Sequence, residues 1–346
     1  MHISAFDYDL PPELIAQKPA RPRDSSRMLV LHRPSGRIEH RSFRDLPTLL
    51  WSDDMVVLND TRVIRARLRG RRHPGGGKAE VLLLSSRADG LWEALVTPGR
   101  RIPPGRQIIF GQDDLRAEVM ARTPSGGRLL RFSRSGGSFA SDEMSAALER
   151  LGDMPLPPYI HSPLADEDDY QTVYARVPGA SAAPTAGLHF TSNMLAALRA
   201  QVHAVTSITL HVGVGTFRPI RTDNVEDHTM YAEPYAVSQS AADLITKALA
   251  QGRRILAIGT STARALEAAT ADGVVRAGRG ETDLFIRPGY QFQTVGALLT
   301  NFHLPRSTVL LLVCALADRD QVLRAYREAA ALKYRFLSFG DAMLII

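Results

Sequence analysis

The stretch "DMVVLNDTRVIRARLRG", Asp54 to Gly70, joins two kinds of sequence and decides how the chain is divided. Its first part, DMVVLND, is an apolar run like those of the C-terminal half. Its second part alternates apolar residues with arginines, which predicts a β-strand with one exposed basic face. The apolar members are Ile64, Ala66 and Leu68, and the arginines are Arg65, Arg67 and Arg69. We therefore place a domain boundary after Thr61.

The segment from Arg62 to Gly137 contains six short strand-like runs between glycine- and proline-rich turns. Their even spacing predicts a small barrel or sandwich. The segment has 16 Lys or Arg and 6 Asp or Glu, a net charge of +10, whereas the rest of the chain carries −4. This charge indicates a polyanion partner, although arginines that only keep an exposed β surface soluble give the same composition.

Beyond the proline-rich connector "MPLPPYIHSP", strand-like and helix-like runs alternate, as in α/β layer structures. "SITLHVGVGTF" alternates like a strand, and "TSTARALEAA" follows a short apolar run and reads as a helix. We predict a mixed-sheet α/β domain made of residues 1–61 and 152–346. A small antiparallel β-barrel domain, residues 62–151, is inserted into it.

The composition fits a folded protein, with 346 residues of which 45% are hydrophobic. The longest apolar run, VLLLVCALA, is far shorter than the roughly 20 residues of a membrane helix. Its Cys314 is the single cysteine, so no disulfide is expected. The first residues lack the basic flank and apolar core of a secretion signal. We expect a cytoplasmic protein, and a monomer because no heptad repeat is present.

Four polar motifs follow strand-like segments: "PTAGLHFT" (184–191), "LHVGVGTF" (210–217), "GTSTAR" (259–264) and "TNFHLP" (300–305). Ligands of open α/β sheets bind beyond the carboxyl ends of strands, so these motifs are expected to meet at one pocket. "GTSTAR" is either an anion-binding helix start or an ordinary helix cap. In "LHVGVGTF", His211 with Gly213 and Gly215 either faces a flat ligand or is a hydrogen-bonded core histidine.

Histidines 189, 211, 228 and 303 lack the close spacing of zinc ligands, so no metal is predicted. Unperturbed histidine has a pKa near 6.5, which suits a general acid or base without a metal. Asp60, in "NDTRV", either pairs with Arg62 to hold the domain junction or contributes a carboxylate to a cleft. "EDHTMYAE", residues 226–233, is either a solvated loop or part of a site.

Long segments along the chain carry a resemblance to a known family. They include "AFDYDLPPELIAQKPA", "VVLNDTRVIRARL", "YQTVYAR", "AAPTAGLHFT", "LHVGVGTFRP", "TDLFIRPGYQF", "LLTNFHLPRSTVLLLV" and the closing "YRFLSFGDAMLII". In these the chain resembles the S-adenosylmethionine:tRNA ribosyltransferase-isomerases of queuosine biosynthesis. Two positions depart from the family pattern. Tyr231 stands where "DHxMHxE" has its second histidine, and "GTSTAR" replaces "GTTSxR".

The resemblance implies transfer of the ribosyl group of S-adenosylmethionine to 7-aminomethyl-7-deazaguanine at the wobble position of tRNA. Adenine and methionine leave, and the rearranged product is epoxyqueuosine. S-adenosylmethionine is consumed as a co-substrate, and neither a metal nor another cofactor is implied. The family also resembles the predicted architecture, an α/β domain with an inserted barrel.

For this chemistry we assign the general base to His189 or His303, with Asp60 and His211 in reserve. The hydroxyls and amide of Thr185, Thr191 and Asn301 are assigned to the ribose, and the first amides of the "GTSTAR" helix with Arg264 to the methionine carboxylate. The full set predicted to bind S-adenosylmethionine is Thr185, Gly187, Phe190, Thr191, Gly213, Gly215, Thr216, Gly259, Thr260, Ser261, Thr262, Arg264, Asn301 and Phe302. The set predicted to bind tRNA is Arg62, Arg65, Arg67 and Arg69.

Two other classes of protein remain open. An RNA-binding or chaperone protein explains the basic segment but gives the polar motifs no use. A methyltransferase shares both substrates with the predicted enzyme and differs in releasing S-adenosylhomocysteine.

Overall fold

A computed structural model describes residues 1–87, 89–123, 126–134, 141–213 and 219–346, and of residues 141 and 142 only the backbone. The chain forms two compact units. The first comprises Met1–Thr61, Pro157–Val177 and Ala183–Ile346. The second comprises Arg62–Leu156 and Pro178–Ala182. Residues 152–156 and 178–182, which the sequence prediction assigned to the α/β domain, therefore lie in the second unit.

In chain order the strands are β1 (Arg27–His32), β2 (Arg37–Ser42), β3 (Met55–Asn59), β4 (Thr61–Val63), β5 (Arg67–His73), β6 (Lys78–Ser86), β7 (Trp92–Thr97), β8 (Gln107–Phe110), β9 (Leu115–Arg122), β10 (Arg128–Ser133), β11 (Gly152–Asp153), β12 (Val177–Ala180), β13 (Ala204–Leu210), β14 (Glu233–Val237), β15 (Ile255–Ile258), β16 (Thr270–Ala271), β17 (Val274–Val275), β18 (Gly278–Thr282), β19 (Ala297–Asn301) and β20 (Ala342–Ile345). The helices are α1 (Leu46–Leu49), α2 (Ser141–Leu151), α3 (Ser192–Gln201), α4 (Gln239–Ala250), α5 (Thr260–Ala269), α6 (Thr308–Ala317) and α7 (Arg319–Ala331). Short 3₁₀ helices include Thr185–His189.

The first unit is built on a mixed sheet with the strand order β18-β14-β13-β3-β15-β19-β20-β1-β2. Its central strands β13, β3, β15 and β19 are mutually parallel. Every residue of β3, β15 and β19 is buried. Parallel strands covered on both faces read as continuous apolar runs, which explains the apolar sequence of the segment before residue 61. That segment lies in the middle of the sheet, between β13 and β15.

The second unit is a closed barrel of antiparallel strands in the order β5-β6-β7-β10-β9-β8, with β8 pairing back to β5. The inward residues Ala66 and Leu68 pack with Phe110, Phe132 and residues of α2. A barrel has no free strand edges. The predicted fold class, a mixed-sheet α/β structure with an antiparallel β-barrel, is confirmed.

The strand predicted across "SITLHVGVGTF" is shorter than expected, because β13 ends at Leu210. Both Thr209 and Leu210 are buried, so neither face of the strand end is bare. The ladder to parallel β3 ends at Ile208, whereas antiparallel β14 pairs with Thr209 and Leu210 and still accepts the His211 N–H at the Pro234 carbonyl. Gly215 and Thr216 lie outside the described residues. Among the residues that are described, no helix has the length and apolar character needed to cross a membrane.

Candidate active site

A cavity of about 920 Å³, including its open mouth, lies in the first unit beyond the carboxyl ends of the parallel strands. Residues from all four polar motifs line it, so the structure brings together segments that are far apart in the sequence. The motif residues concerned are Pro184, Thr185, Ala186, Val212, Gly259, Thr260, Ser261, Arg264, Thr300, Asn301, Phe302, His303 and Leu304. This is the position expected for a ligand of an open α/β sheet.

Asn301, at the end of β19, connects the cavity wall to buried His189. Its Nδ2 lies 3.2 Å from His189 Nε2, and Thr185 Oγ1 donates to its Oδ1 at 3.0 Å. His189 Nδ1 lies 2.8 Å from Ser26 Oγ, and its ring stacks on Phe43. Because Asn301 donates to Nε2, the histidine proton belongs on Nδ1. Because the Thr185 hydroxyl donates its proton to Asn301 Oδ1, its oxygen is left as a hydrogen-bond acceptor at the cavity.

His303 lies on the cavity wall itself. Its Nε2 lies 3.2 Å from Thr300 Oγ1, and its Nδ1 lies 3.2 Å from Tyr326 Oη. Burial lowers the pKa of His303 to about 3 and that of His189 to about 4. Burial also lowers the pKa of His211 and His228. These imidazoles are therefore neutral at pH 7, which revises the expectation of titration near pH 6.5.

Arg264 and Glu233 form a buried ion pair in the cavity wall. Arg264 Nη2 lies 2.6 Å from Glu233 Oε2, and the two side chains are 8% and 7% exposed. Arg264 also donates to the Thr282 carbonyl, while Glu233 Oε1 accepts the Gly213 N–H at 2.7 Å. Both charges are compensated, so a ligand here meets a dipole-like pair rather than a free guanidinium.

Helix α5 begins at the cavity, and Gly259 is its N-cap, with a φ of +93° that favours glycine. A glycine cap offers no side-chain acceptor to the first amides of the helix. Ser261 Oγ accepts a hydrogen bond from Asn59 Nδ2 at 3.1 Å. Asn59 also holds the backbone of Leu210, so this amide ties β3, β13 and α5 together beneath the cavity.

Gly187 and Phe190 are predicted to bind the ligand but are buried in packing contacts. A Cβ on Gly187 would lie 2.0 Å from Tyr174 Oη, so the close approach of that tyrosine requires glycine. Phe190 is fully buried and meets Phe43 edge to face, with ring centroids 5.0 Å apart. Both residues fix the Thr185–His189 segment against the core, and their contact with a ligand stays a prediction.

Thr191 and Thr262 have their hydroxyls engaged locally. Thr191 is the N-cap of α3, where its Oγ1 accepts the Met194 N–H at 3.2 Å. Thr262 is fully buried and donates to the Ile258 carbonyl at 2.5 Å. Ser, Thr and Asp commonly make such local bonds at helix starts. A direct role of either threonine in binding stays a prediction.

Asp60 is buried and fully hydrogen-bonded. It accepts from Thr209 Oγ1 at 2.6 Å, from Ser207 Oγ at 3.1 Å and from Arg176 Nη2 at 2.7 Å. The predicted pair with Arg62 is replaced by this one with Arg176, because Arg62 points outward from β4 and is exposed. His211 Nδ1 lies 2.8 Å from Thr61 Oγ1. Neither Asp60 nor His211 is among the cavity-lining residues.

Sequence reasoning missed several residues of the cavity wall: Tyr159, Glu233, Phe285 and Ser338. Glu233 ends the motif "EDHTMYAE" and Tyr159 lies in "MPLPPYIHSP", so both were within noted segments. Within the described ranges, no group of three or more His, Cys, Asp or Glu side chains is placed to hold a metal ion.

Burial of neutral His189 predicts an acid-sensitive fold. Its pKa of about 4 lies below the 6.5 of an unfolded chain, so the unfolded state binds the proton more tightly. The stability it contributes is complete above pH 6.5 and is lost as the pH falls toward 4, about 3 kcal/mol in all. In urea titrations at pH 7 and pH 4.5, His189→Asn should lose less stability between the two pH values than the wild type. His161→Asn, at an exposed surface position, should behave as the wild type; equal pH sensitivity of all three proteins contradicts the assignment.

A mixed α/β unit with an open cavity at its strand ends, in a chain that also forms a basic antiparallel barrel, defines the class: an α/β protein with an inserted barrel. Comparison with known families identifies it further. The chain belongs to the family described as "Queuosine biosynthesis protein", whose profile matches residues 3–345.

Curated relatives match over their full length. The protein of Moorella thermoacetica is 55% identical over 347 residues and that of Symbiobacterium thermophilum 54%, each with 100% of both chains covered. Both are named S-adenosylmethionine:tRNA ribosyltransferase-isomerase. A crystal structure of the S-adenosylmethionine tRNA ribosyltransferase of Thermotoga maritima is also similar, with 37% identity and a TM-score of 0.56 over 99% of this chain and 100% of that one.

Proposed function

We propose that this protein is an S-adenosylmethionine:tRNA ribosyltransferase-isomerase. It transfers and isomerises the ribosyl group of S-adenosylmethionine onto 7-aminomethyl-7-deazaguanine in tRNA, giving epoxyqueuosine with release of adenine and methionine. The observation that carries the proposal is the cavity, since residues from four separated motifs meet there. The names of the full-length relatives support the same reaction.

S-adenosylmethionine fits the chemistry of the cavity wall. The first amides of α5, with Arg264 beside them, are suited to the methionine carboxylate, since helix starts attract anions. Thr185 offers lone pairs to a ribose hydroxyl, and Ser261 retains a proton to donate. Phe285 and Phe302 supply apolar surface for the adenine. Glu233 places a carboxylate near the cationic part of the ligand.

We assign proton transfer to His303, because it is the histidine on the cavity wall. The positive sulfonium acidifies the protons of the attached ribose carbon. Removal of one opens the sugar, and the electron pair released leaves with adenine. Burial makes protonated His303 a strong acid, so it passes its proton to the departing adenine instead of retaining it. The amine of the tRNA base adds to the opened sugar, and ring closure expels methionine.

His189 acts as a positioning residue in this proposal. It lies behind Asn301 and holds that amide by its Nε2, so that Asn301 orients Thr185. His189 is buried behind Asn301 and is not among the residues that line the cavity, so this role suits it better than proton removal from substrate.

We further propose that the two units are distinct domains, an S-adenosylmethionine domain and an inserted barrel that contacts tRNA. The basic charge of the barrel segment supports this division of roles. The enzyme is proposed to act as a monomer in the cytoplasm, with S-adenosylmethionine as co-substrate and no metal.

The test uses tRNA that carries 7-aminomethyl-7-deazaguanine and S-adenosylmethionine labelled in its ribose carbons. Label should enter the tRNA with an equal amount of adenine released. A methyltransferase would instead release S-adenosylhomocysteine and leave the ribose label in solution. An RNA-binding protein without catalytic activity would consume no S-adenosylmethionine. Either of these results would overturn the proposed function.

A further inference from the structure

One end of the barrel collects positive charge without negative charge. Three turn segments, residues 70–79, residues 97–107 and residues 121–123 with 126–129, contain 8 Lys or Arg and no Asp or Glu. We call these three segments the basic rim. The basic residues are Arg71, Arg72, Lys78, Arg100, Arg101, Arg106, Arg122 and Arg128.

Strand pairing brings the three segments to the same end of the barrel. In the ladders His73 pairs with Gln107, and Arg71 with Lys78. Arg122 pairs with Arg128 across the β9–β10 turn. The carboxyl ends of β5, β7 and β9 therefore lie beside the amino ends of β6, β8 and β10. The first and third segments are separated in the sequence by residues 80–120, and they belong to one continuous edge because β5 and β8 close the barrel.

Arg128 holds the rim together from inside. It is 6% exposed, and its guanidinium donates to the carbonyls of Gly99, Ile102, Gly126 and Gly127. These bonds join the β7–β8 connection to the β9–β10 turn. Burial, and then the like charge of Arg122, lowers the pKa of Arg128. Arg128 thus braces two of the three rim segments from inside, with the like charge of Arg122 beside it.

The outer arginines of the rim are exposed and have no acidic partner. Arg100, Arg101, Arg106 and Arg122 are all exposed. Within the described part of the chain, none of them forms an ion pair with a carboxylate. Carboxylates on the neighbouring strands include Glu80, which lies 3.8 Å from Arg67, and Glu118, which is opposite Gln107. Glu93 lies 3.8 Å from Arg87, and its other oxygen would be 3.5 Å from a Cβ on Gly127. The rim's charge is therefore available to an external anion.

Three of the four arginines that the sequence favoured for tRNA binding are in a different situation. Arg65 lies 3.8 Å from a Glu149 oxygen, and Arg69 lies 3.2 Å from an Asp153 oxygen. Arg67 pairs with Glu80 and donates to the Leu156 carbonyl. At the end of the barrel opposite the rim, the described segments 86–87, 89–92, 111–115, 133–134 and 141–153 contain 3 Lys or Arg and 7 Asp or Glu. That end repels a polyanion.

We propose that the basic rim binds the phosphate backbone of the RNA substrate, an inference that rests on the proposed function and assigns its RNA contact to one surface. Exposed guanidiniums without a carboxylate partner along one edge can each bind a phosphate, and binding releases the counterions of the RNA. An anionic membrane surface is the alternative partner, since it also presents many negative charges close together. Membrane-surface binding also uses exposed apolar side chains, and among the described residues the large exposed ones are Met1, Trp51, Val173, Val274 and Leu332, none of them in the rim.

The test compares two variants that lose the same four charges. One changes Arg100, Arg101, Arg106 and Arg122 to glutamine, and the matched control changes Arg62, Arg65, Arg67 and Arg69 to glutamine. Binding of an unmodified tRNA transcript is measured between 50 and 300 mM salt by filter retention, after thermal melting has shown that both variants are folded. The rim variant should bind at least about tenfold more weakly, and the slope of log affinity against log salt should fall by about 3 to 4. The control variant should lose less affinity for the transcript and should show a smaller change in the salt slope.

Unchanged binding by the rim variant, or a larger loss in the control, would overturn the assignment. The assignment would also be overturned if the wild type failed to bind the transcript but bound vesicles of anionic lipid through the rim. Ribosyl transfer by the wild type is measured separately with tRNA bearing the modified base. Transfer without dependence of tRNA binding on the rim refutes only this inference, whereas rim-dependent binding without transfer refutes only the proposed reaction.

Discussion

Replacing His303 by alanine is expected to slow ribosyl transfer by about 10²- to 10⁴-fold, the usual contribution of a positioned acid or base. The affinity for S-adenosylmethionine should change by only a few-fold, because the amides of α5 and the Arg264 region remain. The expected loss is therefore in kcat and not in KM. Single-turnover measurement of adenine release at saturating substrate gives the rate of the step concerned.

His303 is singled out by its position. Its ring lies on the cavity wall between two hydroxyls, at 3.2 Å from Thr300 Oγ1 and 3.2 Å from Tyr326 Oη. Such long hydrogen bonds are readily exchanged for one to a substrate. The pKa of about 3 predicts that the rate does not decline between pH 7.5 and pH 6 through protonation of this residue. A rate that falls with an apparent pKa near 6.5 would contradict the assignment.

The control for His303 is His161→Ala, which removes the same side chain from an exposed position. It should retain full activity. His189→Ala should cost about tenfold, and adding Asn301→Ala to it should cost little more, because the two residues act through one hydrogen-bonded chain and their effects are not additive. Fully additive losses would show that His189 acts independently of Asn301. Near-normal turnover of folded His303→Ala would exclude it as the proton acceptor.

The fold could be predicted from the sequence largely because its two units use different patterns. β3, buried on both faces, is apolar up to its last residue, whereas residues 64–69, which lead into β5, alternate apolar and basic side chains. These patterns follow directly from which faces of a strand meet solvent. The residue at which β13 ends could not be predicted from such a pattern. The alternation continues past Leu210 in the sequence, and only the ladders to β3 and β14 determine where the strand stops.

The site could be predicted only as a set of motifs. The sequence identified the loops that meet at the cavity, because polar residues after a strand mark a strand-end loop. It could not assign each side chain to ligand or to scaffold. Thr191 and Thr185 lie in the same motif, yet one caps α3 and the other lines the cavity. A hydroxyl serves both purposes equally well, so the distinction arises from tertiary packing alone.

Glu233→Ala is expected to lower the free energy of unfolding of the first unit by about 3–5 kcal/mol, the usual cost of leaving one member of a buried ion pair alone. The Arg264 guanidinium would keep only the Thr282 carbonyl as a partner, since its Nε is already buried without an acceptor among the described residues. The Gly213 amide would lose its acceptor as well. Urea titration followed by tryptophan fluorescence or circular dichroism measures the loss.

A double-mutant cycle separates the pair from the surrounding structure. Glu233→Gln keeps the shape of the side chain and an acceptor for Gly213 but removes the charge. Combining it with Arg264→Gln removes the unpaired guanidinium too, so the double variant should be more stable than the sum of the single losses predicts. Glu281→Gln, exposed on neighbouring β18, is the matched control and should change stability by less than about 0.5 kcal/mol. If the two single losses simply add, Glu233 and Arg264 stabilise the unit independently, and the wall of the cavity does not depend on their pairing.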